Sequence, residues 1–554
     1  MIYLVIAFST LLLSIFLTPY FISYLNSIRV VDAPDHKRKI HSEPVPRLGG
    51  LIIYSVSMLA LFTFYGDLNS IKIFIAASVI IIVLGITDDF FGVKWNVKFL
   101  FQTASAILLL VFLYPHFNSV TILGYTIPQI PALIILFLFI VGTTNSFNLL
   151  DGMDGLVSGL SLMIFFVTFL IGYKTSNLFL LILSASVFGT TLGFLRFNAF
   201  PASIFLGDSG SLTLGLFVTT AALTSAISME NKSLDLSLPI MLLALPILDT
   251  LKVMFLRIFN GKNPFLPDKT HLHHLIFGKQ IKHKTTVFIL EIFTLLFVVS
   301  GIYYFFYNKI IGISIFVLLS CLLLLVNHII DLLIKTNVSS KVGKFRQIFP
   351  QKLIFIYKKI FLPLVALTII GMVLYLVPFH SGLRNNFVYL TMVFLILFLL
   401  YGYVNYKKNK NFIDILVFFN IVILFSLIGK SDFAIEVINF SFFARLNIHR
   451  LIILLLLPTI SFFLVFRERI LERNDSLLSG IDLIVLVVIS LAFVSSQLIP
   501  LDKTGLISDS IFCSFLIYLF YKITILIKPA FHPALFFGSY LIALIPQTII
   551  FATH

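Results

Sequence analysis

The chain has 554 residues, of which 59% are hydrophobic and only 11% charged, with a formal net charge of +15. A soluble protein of this length carries roughly a quarter charged residues, so composition excludes a water-soluble fold. The surplus charge does not mark a nucleic-acid partner, because Lys and Arg gather in particular connecting loops, where they report membrane orientation.

Apolar runs of about twenty residues are long enough to cross a hydrocarbon core, and the chain divides into about eighteen of them. The first eleven lie near 3–25, 48–66, 71–87, 98–114, 131–147, 157–173, 177–195, 211–228, 237–257, 285–307 and 309–334. The others lie near 353–377, 387–405, 412–430, 450–466, 479–498, 505–527 and 533–551. The leading segment lacks the basic stretch of a cleavable signal peptide and reads as the first span. The expected fold is an all-α polytopic membrane protein. Alternate loops hold the basic clusters Lys37-Arg38-Lys39, Arg257 to Lys284, Lys341 to Lys352, Lys407 to Lys410 and Arg467 to Arg473. Basic loops face the cytoplasm, which puts the N-terminus outside and the loops near Asp88, Asp151, Asp208 and His271 together on the cytoplasmic side. Cys321 and Cys513 lie in apolar runs and suit neither a disulfide nor a metal motif.

Four polar segments interrupt the first half. Asp88 and Asp89 close one span and Lys98 opens the next. Adjacent carboxylates at the membrane edge either end a helix as solvated charge or bind a hard cation such as Mg²⁺. Asn145, Asn148, Asp151 and Asp154 recur every third residue, a spacing that drifts round an α-helix, and Gly152 and Gly155 suggest that the helix loosens there to approach a ligand. A capped helix end is the plainer explanation, but it needs one such residue rather than four. Asn198 to Ser211 precedes the next span with Pro201, Phe205, Gly207 and Asp208; its Gly and Ser suit phosphate at a helix start, with Asp208 placed for a metal. His271, His273 and His274 stand beside Asp268 and Lys269, with no Cys or HExxH pattern to make them a zinc site, and suit a diphosphate as cationic or hydrogen-bonding groups. Residues from about 336 onward carry no such motif, so the domain division expected is 1–335 for chemistry and 336–554 as an apolar extension.

In this order the segments resemble the polyprenyl-phosphate N-acetylhexosamine-1-phosphate transferase family, which includes enzymes that start teichoic acid and O-antigen synthesis and the phospho-MurNAc-pentapeptide translocase. The resemblance covers about residues 1–335 through VDAPDHKRKIHSEPVPRLGG at 31–50, the Asp pair with Lys98 and Gln102, NSFNLLDGMDGLVSGLS at 145–161, FLGDSGSLTLG at 205–215 and LPILDTLKVMFLRIFNGKNPFLPDKTHLHH at 245–274. It implies transfer of a sugar-1-phosphate, most simply GlcNAc-1-phosphate, from a UDP-sugar to polyprenyl phosphate with release of UMP, at a bacterial inner membrane. It further implies Mg²⁺ (Mn²⁺ as substitute) on Asp208, with Asp88 and Asp89 serving metal placement or acceptor activation. Asn148, Asp151 and Asp154 would line the cleft, Asn198 and Phe205 would meet uridine, and Lys98 with His271, His273 and His274 would face the diphosphate. PDKTHLHH is closer to the GlcNAc-type members, and Gly92 stands where some members carry a third Asp. The partners implied are UDP-HexNAc, polyprenyl phosphate and the bilayer, with a homodimer as one assembly and no nucleic acid. A secondary transporter or lipid flippase is the rival reading, for which the carboxylates would form an ion pathway at the bilayer midplane.

Overall fold

The computed structural model describes residues 2–32, 44–228, 230–261, 270–279 and 281–335, with 355–361, 364 and 521 beyond them. The loops expected at 33–43 and 262–269, Cys513 and nearly all of the spans expected after residue 353 lie outside the described residues. The chain divides into two compact units, one of 1–332 with 480–491 and one of 333–479 with 492–554. In the second, Tyr357–Phe361 forms one wide helical turn.

In lipid every backbone N–H and C=O must find its partner within the protein, so an apolar chain without a barrel pattern folds as helices. The first unit runs α1 (Ile2–Ser27), β1 (Val31–Asp32), β2 (Val45–Pro46), α2 (Gly49–Phe64), α3 (Leu68–Phe91) and α4 (Trp95–Leu113). It continues with β3 (Ser119–Ile122), β4 (Tyr125–Ile127), α5 (Gln129–Leu150), α6 (Leu156–Thr175), α7 (Leu178–Asn198) and α8 (Gly207–Ser225). Then come β5 (Ile227–Ser228), β6 (Ser233–Asp235), α9 (Ser237–Leu242), α10 (Ala244–Phe259), α11 (Leu272–Phe277), α12 (His283–Phe306) and α13 (Lys309–Lys335). Eight of the described helices are long and apolar enough to cross a membrane. The span expected at 237–257 is two helices, with the break at Leu243.

α8 is the axis of the first unit, buried along its whole length from Ser209 to Ser225. Its small residues allow this. Gly50 of α2 and Gly85 of α3 bring their backbones directly against Gly210 and Ser209, and Gly215 packs on Thr144 of α5. Such close approaches replace the hydrophobic drive that lipid removes, because helix association in a bilayer depends on packing and interhelical hydrogen bonds. One of those bonds joins Thr143 of α5 to Thr219 of α8 at 2.8 Å.

Composition did not announce a small sheet in the order β4-β3-β6-β5, in which β3 and β6 run parallel and the other pairs antiparallel. It ties the connection after α4 to the connection after α8. Beside it, the Tyr304 hydroxyl donates to Asp235 at 2.6 Å and Lys309 pairs with the same carboxylate at 3.2 Å. Because the helices alternate in direction, the ends remote from this sheet (α3 to α4, α5 to α6, α7 to α8 and α10 to α12) gather at the other end of the bundle. Those four connections contain the four polar segments.

Candidate active site

Asp88 is buried in the last turn of α3, where its Oδ1 accepts the N–H of Val93 at 2.6 Å. Gly92 makes that turn possible: its φ of +68° is a left-handed value that a side chain resists. The chain then re-enters a helix at Trp95, and Lys98, one turn in, forms an ion pair with Asp88 Oδ2. The same ammonium lies 3.7 Å from Asp208 Oδ2. Asn148, near the end of α5, donates from Nδ2 to Asp208 Oδ1 and, at 3.0 Å, to the hydroxyl of Ser211. Asp88, Lys98, Asn148 and Asp208 therefore form one continuous polar cluster drawn from three connections.

Asp89 has a different position. Its two oxygens accept the N–H groups of Asp208 at 2.8 Å and Ser209 at 3.0 Å, which caps α8 from a neighbouring helix. The first turn of an α-helix has N–H groups with no partner inside the helix, and a carboxylate there also meets the positive end of the helix dipole. This corrects the expectation that the start of α8 offers these two N–H groups to a phosphate: Asp89 already holds them.

The α5 helix stops at Leu150 and the chain turns through Asp151 to Gly155, where φ is +80°. Loss of helix at this point is what the three-residue spacing suggested. The carboxyl of Asp151 is held well above the usual carboxylate range, first by desolvation and then by the charges of Asp208, Asp89 and Asp154. Asp154 Oδ2 accepts the N–H of Ala202 at 3.1 Å, holding the loop between α7 and α8. Asn198 holds the same loop from inside. Its Oδ1 accepts the Ser158 hydroxyl at 3.0 Å and its Nδ2 donates to the carbonyl of Ile204 at 3.1 Å. Phe205 is fixed by its backbone: its N–H donates to Pro46 at 2.8 Å and its carbonyl accepts from Gly49 at 3.1 Å. The PRLGG stretch at 46–50 thus buttresses the loop that leads to Asp208.

The histidine segment arrives as α11. His271 Nδ1 lies within hydrogen-bond distance of Asp249 Oδ2, at 2.9 Å, and the N–H of Leu272 donates to Asp249 Oδ1 at 2.8 Å. His273 is buried, and neither ring nitrogen has a hydrogen-bond partner among the described residues. Its ring lies 4.1 Å from that of His274, centre to centre. Burial, then the neighbouring His274, lowers the His273 pKa to about 3. That environment opposes a cationic His273 and leaves it as a neutral hydrogen-bonding group. A Cβ on Gly152 would stand 2.5 Å from His273 Nε2, so the histidine segment touches the Asp151 turn directly.

Two residues that the sequence reading passed over are now visible. Asp249 is one, a carboxylate inside the span expected at 237–257 and within the 245–274 stretch. The other is Glu291, buried in α12 with an oxygen pressed against Gly159 of α6. A lone carboxylate in a lipid-length helix was the available signal for both.

Residues 71–226, from α3 to the end of α8, match glycosyl transferase family 4. The chain is 34% identical over 312 residues to the probable undecaprenyl-phosphate N-acetylglucosaminyl 1-phosphate transferase of Bacillus subtilis, a match covering 54% of this chain and 85% of that protein. It is 33% identical over 313 residues to the undecaprenyl-phosphate alpha-N-acetylglucosaminyl 1-phosphate transferase of Thermotoga maritima, covering 56% of this chain and 94% of that one. Against the Escherichia coli K12 protein of the same name, identity is 28% over 285 residues, covering 48% of this chain and 76% of that one. The matches cover three quarters or more of these relatives and only about half of this chain, and the family match spans the segments that carry Asp88, Asp151 and Asp208: the chain belongs to glycosyl transferase family 4.

Proposed function

We propose that this protein transfers GlcNAc-1-phosphate from UDP-GlcNAc to a polyprenyl phosphate, of the undecaprenyl type, and releases UMP. The observation that carries this is the convergence of Asp88, Lys98, Asn148, Asp151 and Asp208 at one end of the bundle, in a chain whose relatives carry that activity in their names. A site at one end of the spans suits a soluble sugar nucleotide meeting a lipid phosphate at the headgroup level. A transporter site would lie at the midplane.

The chemistry is a phosphoryl transfer. An oxygen of the lipid phosphate attacks the sugar-bearing phosphorus of UDP-GlcNAc, and the bond from that phosphorus to the bridging oxygen breaks, with the electron pair leaving on UMP. A phosphate monoester has a second pKa near 6, so the acceptor is already largely dianionic at neutral pH and needs little help from a base. The obstacle is repulsion between acceptor and diphosphate. Lys98 stands between Asp88 and Asp208 and is placed to offset it. Asn148 orients the Asp208 carboxylate, and Asp89 holds the turn of α8 from which Asp208 projects.

The donor set is compatible with Mg²⁺. The pKa of Asp151 is raised first by desolvation and then by the neighbouring charges of Asp208, Asp89 and Asp154, and a cation would relieve the second of these. Among the described residues no group of three or more His, Cys, Asp or Glu gathers around one point. Mg²⁺ commonly binds one or two carboxylates and completes its shell with water and substrate phosphate, so Asp208 and Asp88 suffice as protein ligands. When bound there, the ion would neutralise diphosphate oxygens and stabilise charge developing on the departing UMP. Mn²⁺ is the expected substitute.

Alternation of basic loops supports a cytoplasmic position for this end and an outside position for the sheet, and the bacterial relatives support the inner membrane of a bacterium. The full count of about eighteen spans, with residues 336–554 as an extension outside the transfer chemistry, belongs to the same proposal. The test is purified protein with undecaprenyl phosphate, Mg²⁺ and a panel of UDP-sugars, read by UMP release and by mass of the lipid. UDP-GlcNAc should yield a GlcNAc-diphosphate lipid. No UMP from any UDP-sugar, under conditions where a known family member works, would end this reading.

A further inference from the structure

We propose that Asp249 is a positioning residue for the transfer: it fixes the proton of His271 on Nδ1, leaves Nε2 as the nitrogen presented to substrate, and starts the helix that carries His273 and His274. The proposal rests on the transferase reading.

Asp249 lies on α10, whose other faces present Phe255, Leu256 and Phe259 outward, yet its own carboxylate is buried. A buried carboxylate must be compensated, and here both oxygens are committed to residues 22 and 23 positions later. Oδ1 takes the N–H of Leu272, the first residue of α11. That N–H is a fixed donor, so this oxygen remains an acceptor whatever the other does. Oδ2 faces His271 Nδ1, and an ionised carboxylate only accepts, so the imidazole must carry its proton on Nδ1. In the neutral ring Nε2 then holds the lone pair, and the rotation of the ring is set by the same bond.

The second consequence concerns His273. With no partner for either nitrogen among the described residues, its place depends on where α11 begins and on contact with Gly152 and His274. The rings of His271 and His273 lie nearly parallel, 16° apart with centres 6.0 Å apart. One carboxylate on a neighbouring helix thereby sets both the proton of the first histidine and the position of the second against the Asp151 turn. Neither contact is local in sequence.

Asp249→Asn is the discriminating variant. The amide oxygen must stay on the Leu272 N–H, so the NH₂ group turns to His271 and forces Nδ1 to accept, which moves the ring proton to Nε2. Side-chain size is retained and a buried charge is removed, so thermal unfolding should change little. Solid-state NMR of ¹⁵N-histidine protein, with His271 assigned by His271→Gln, should show Nδ1 protonated in the wild type and Nε2 protonated in Asp249→Asn. The rate of UMP release should fall on the order of 10- to 100-fold, as for other groups that orient a histidine. In a double-mutant cycle, Asp249→Asn, whose amide oxygen still holds the Leu272 N–H, combined with His271→Ala should be no slower than His271→Ala alone. A wild type with Nε2 protonated overturns the proposal even if the variant does not fold. So does a folded Asp249→Asn enzyme with near-normal rate, or multiplicative losses in the cycle. If the wild type releases no UMP at all, the transferase reading fails instead, and the nitrogen spectra still decide the tautomer.

Discussion

Gly152 lies so close beneath His273 that a single added carbon would stand 2.5 Å from its Nε2. The contact joins the turn after α5 to the helix α11, which are more than a hundred residues apart in the chain, and it is the point at which the carboxylate clusters meet the histidines. Gly152→Ala should therefore push His273 away from the Asp151 turn. Because the turn lies at the end of the bundle rather than in its core, the expected outcome is a folded protein with UMP release reduced at least about tenfold, in line with the cost of small misplacements near reacting groups. A rate within twofold of wild type at equal expression would show that this contact does not position the histidine for chemistry.

The neutral state of His273 has a consequence for stability. Its pKa is about 3 in the folded protein against about 6.5 for an unperturbed histidine. Between those values the unfolded chain binds the extra proton, so stability is full above about pH 6.5 and declines as pH falls below it. At 1.36 kcal/mol per unit, going from pH 6.5 to 5 should cost about 2 kcal/mol. Unfolding in detergent should show this decline, and His273→Gln should flatten it. An unchanged slope in the variant would mean that His273 accepts a proton in the native state.

Asp208→Asn should leave the protein folded and membrane-inserted while lowering turnover by about a hundredfold or more, since it removes charge where a preorganised cation is expected to act. Asn148 donates to Asp208 Oδ1 and Lys98 lies near Oδ2, so an amide in that place loses the attraction of Lys98 as well. Near-normal turnover would place the cation elsewhere.

Much of this site was legible because a carboxylate in an apolar chain is costly and therefore conspicuous. Asp88, Asp151 and Asp208 announced themselves that way, and the parity of spans was enough to bring them to one end. What individual residues do was less legible. Nothing in NAFPASIFLGDS tells that Asn198 ties its own loop from within, or that Asp154 holds Ala202. The task of Asp89 depends on α8 approaching the end of α3 so closely that a backbone, rather than a ligand, takes its carboxylate. The sequence shows no partner for Asp249, because its contacts form only once α11 is folded against α10. The four-stranded sheet escaped notice because strands of two to four residues carry too little alternation to stand out beside spans of twenty.

Orientation is open to a direct check. With Cys321 and Cys513 replaced, single cysteines introduced at 35–45, 262–270 and 343–350 should react with an impermeant maleimide only from the cytoplasmic side. A cysteine at Ser233, in the sheet at the other end, should react from outside. Reaction of 35–45 and 262–270 from opposite sides would contradict a single site built from all four connections.

The central claim is that phosphorus moves with the sugar. UDP-GlcNAc labelled at the β-phosphorus separates this from every simpler glycosyl transfer, in which the sugar leaves both phosphates behind. Purified protein, undecaprenyl phosphate and Mg²⁺ should send the label into the lipid product and release unlabelled UMP. Recovery of the label in free UDP, with the sugar on the lipid, would contradict the account.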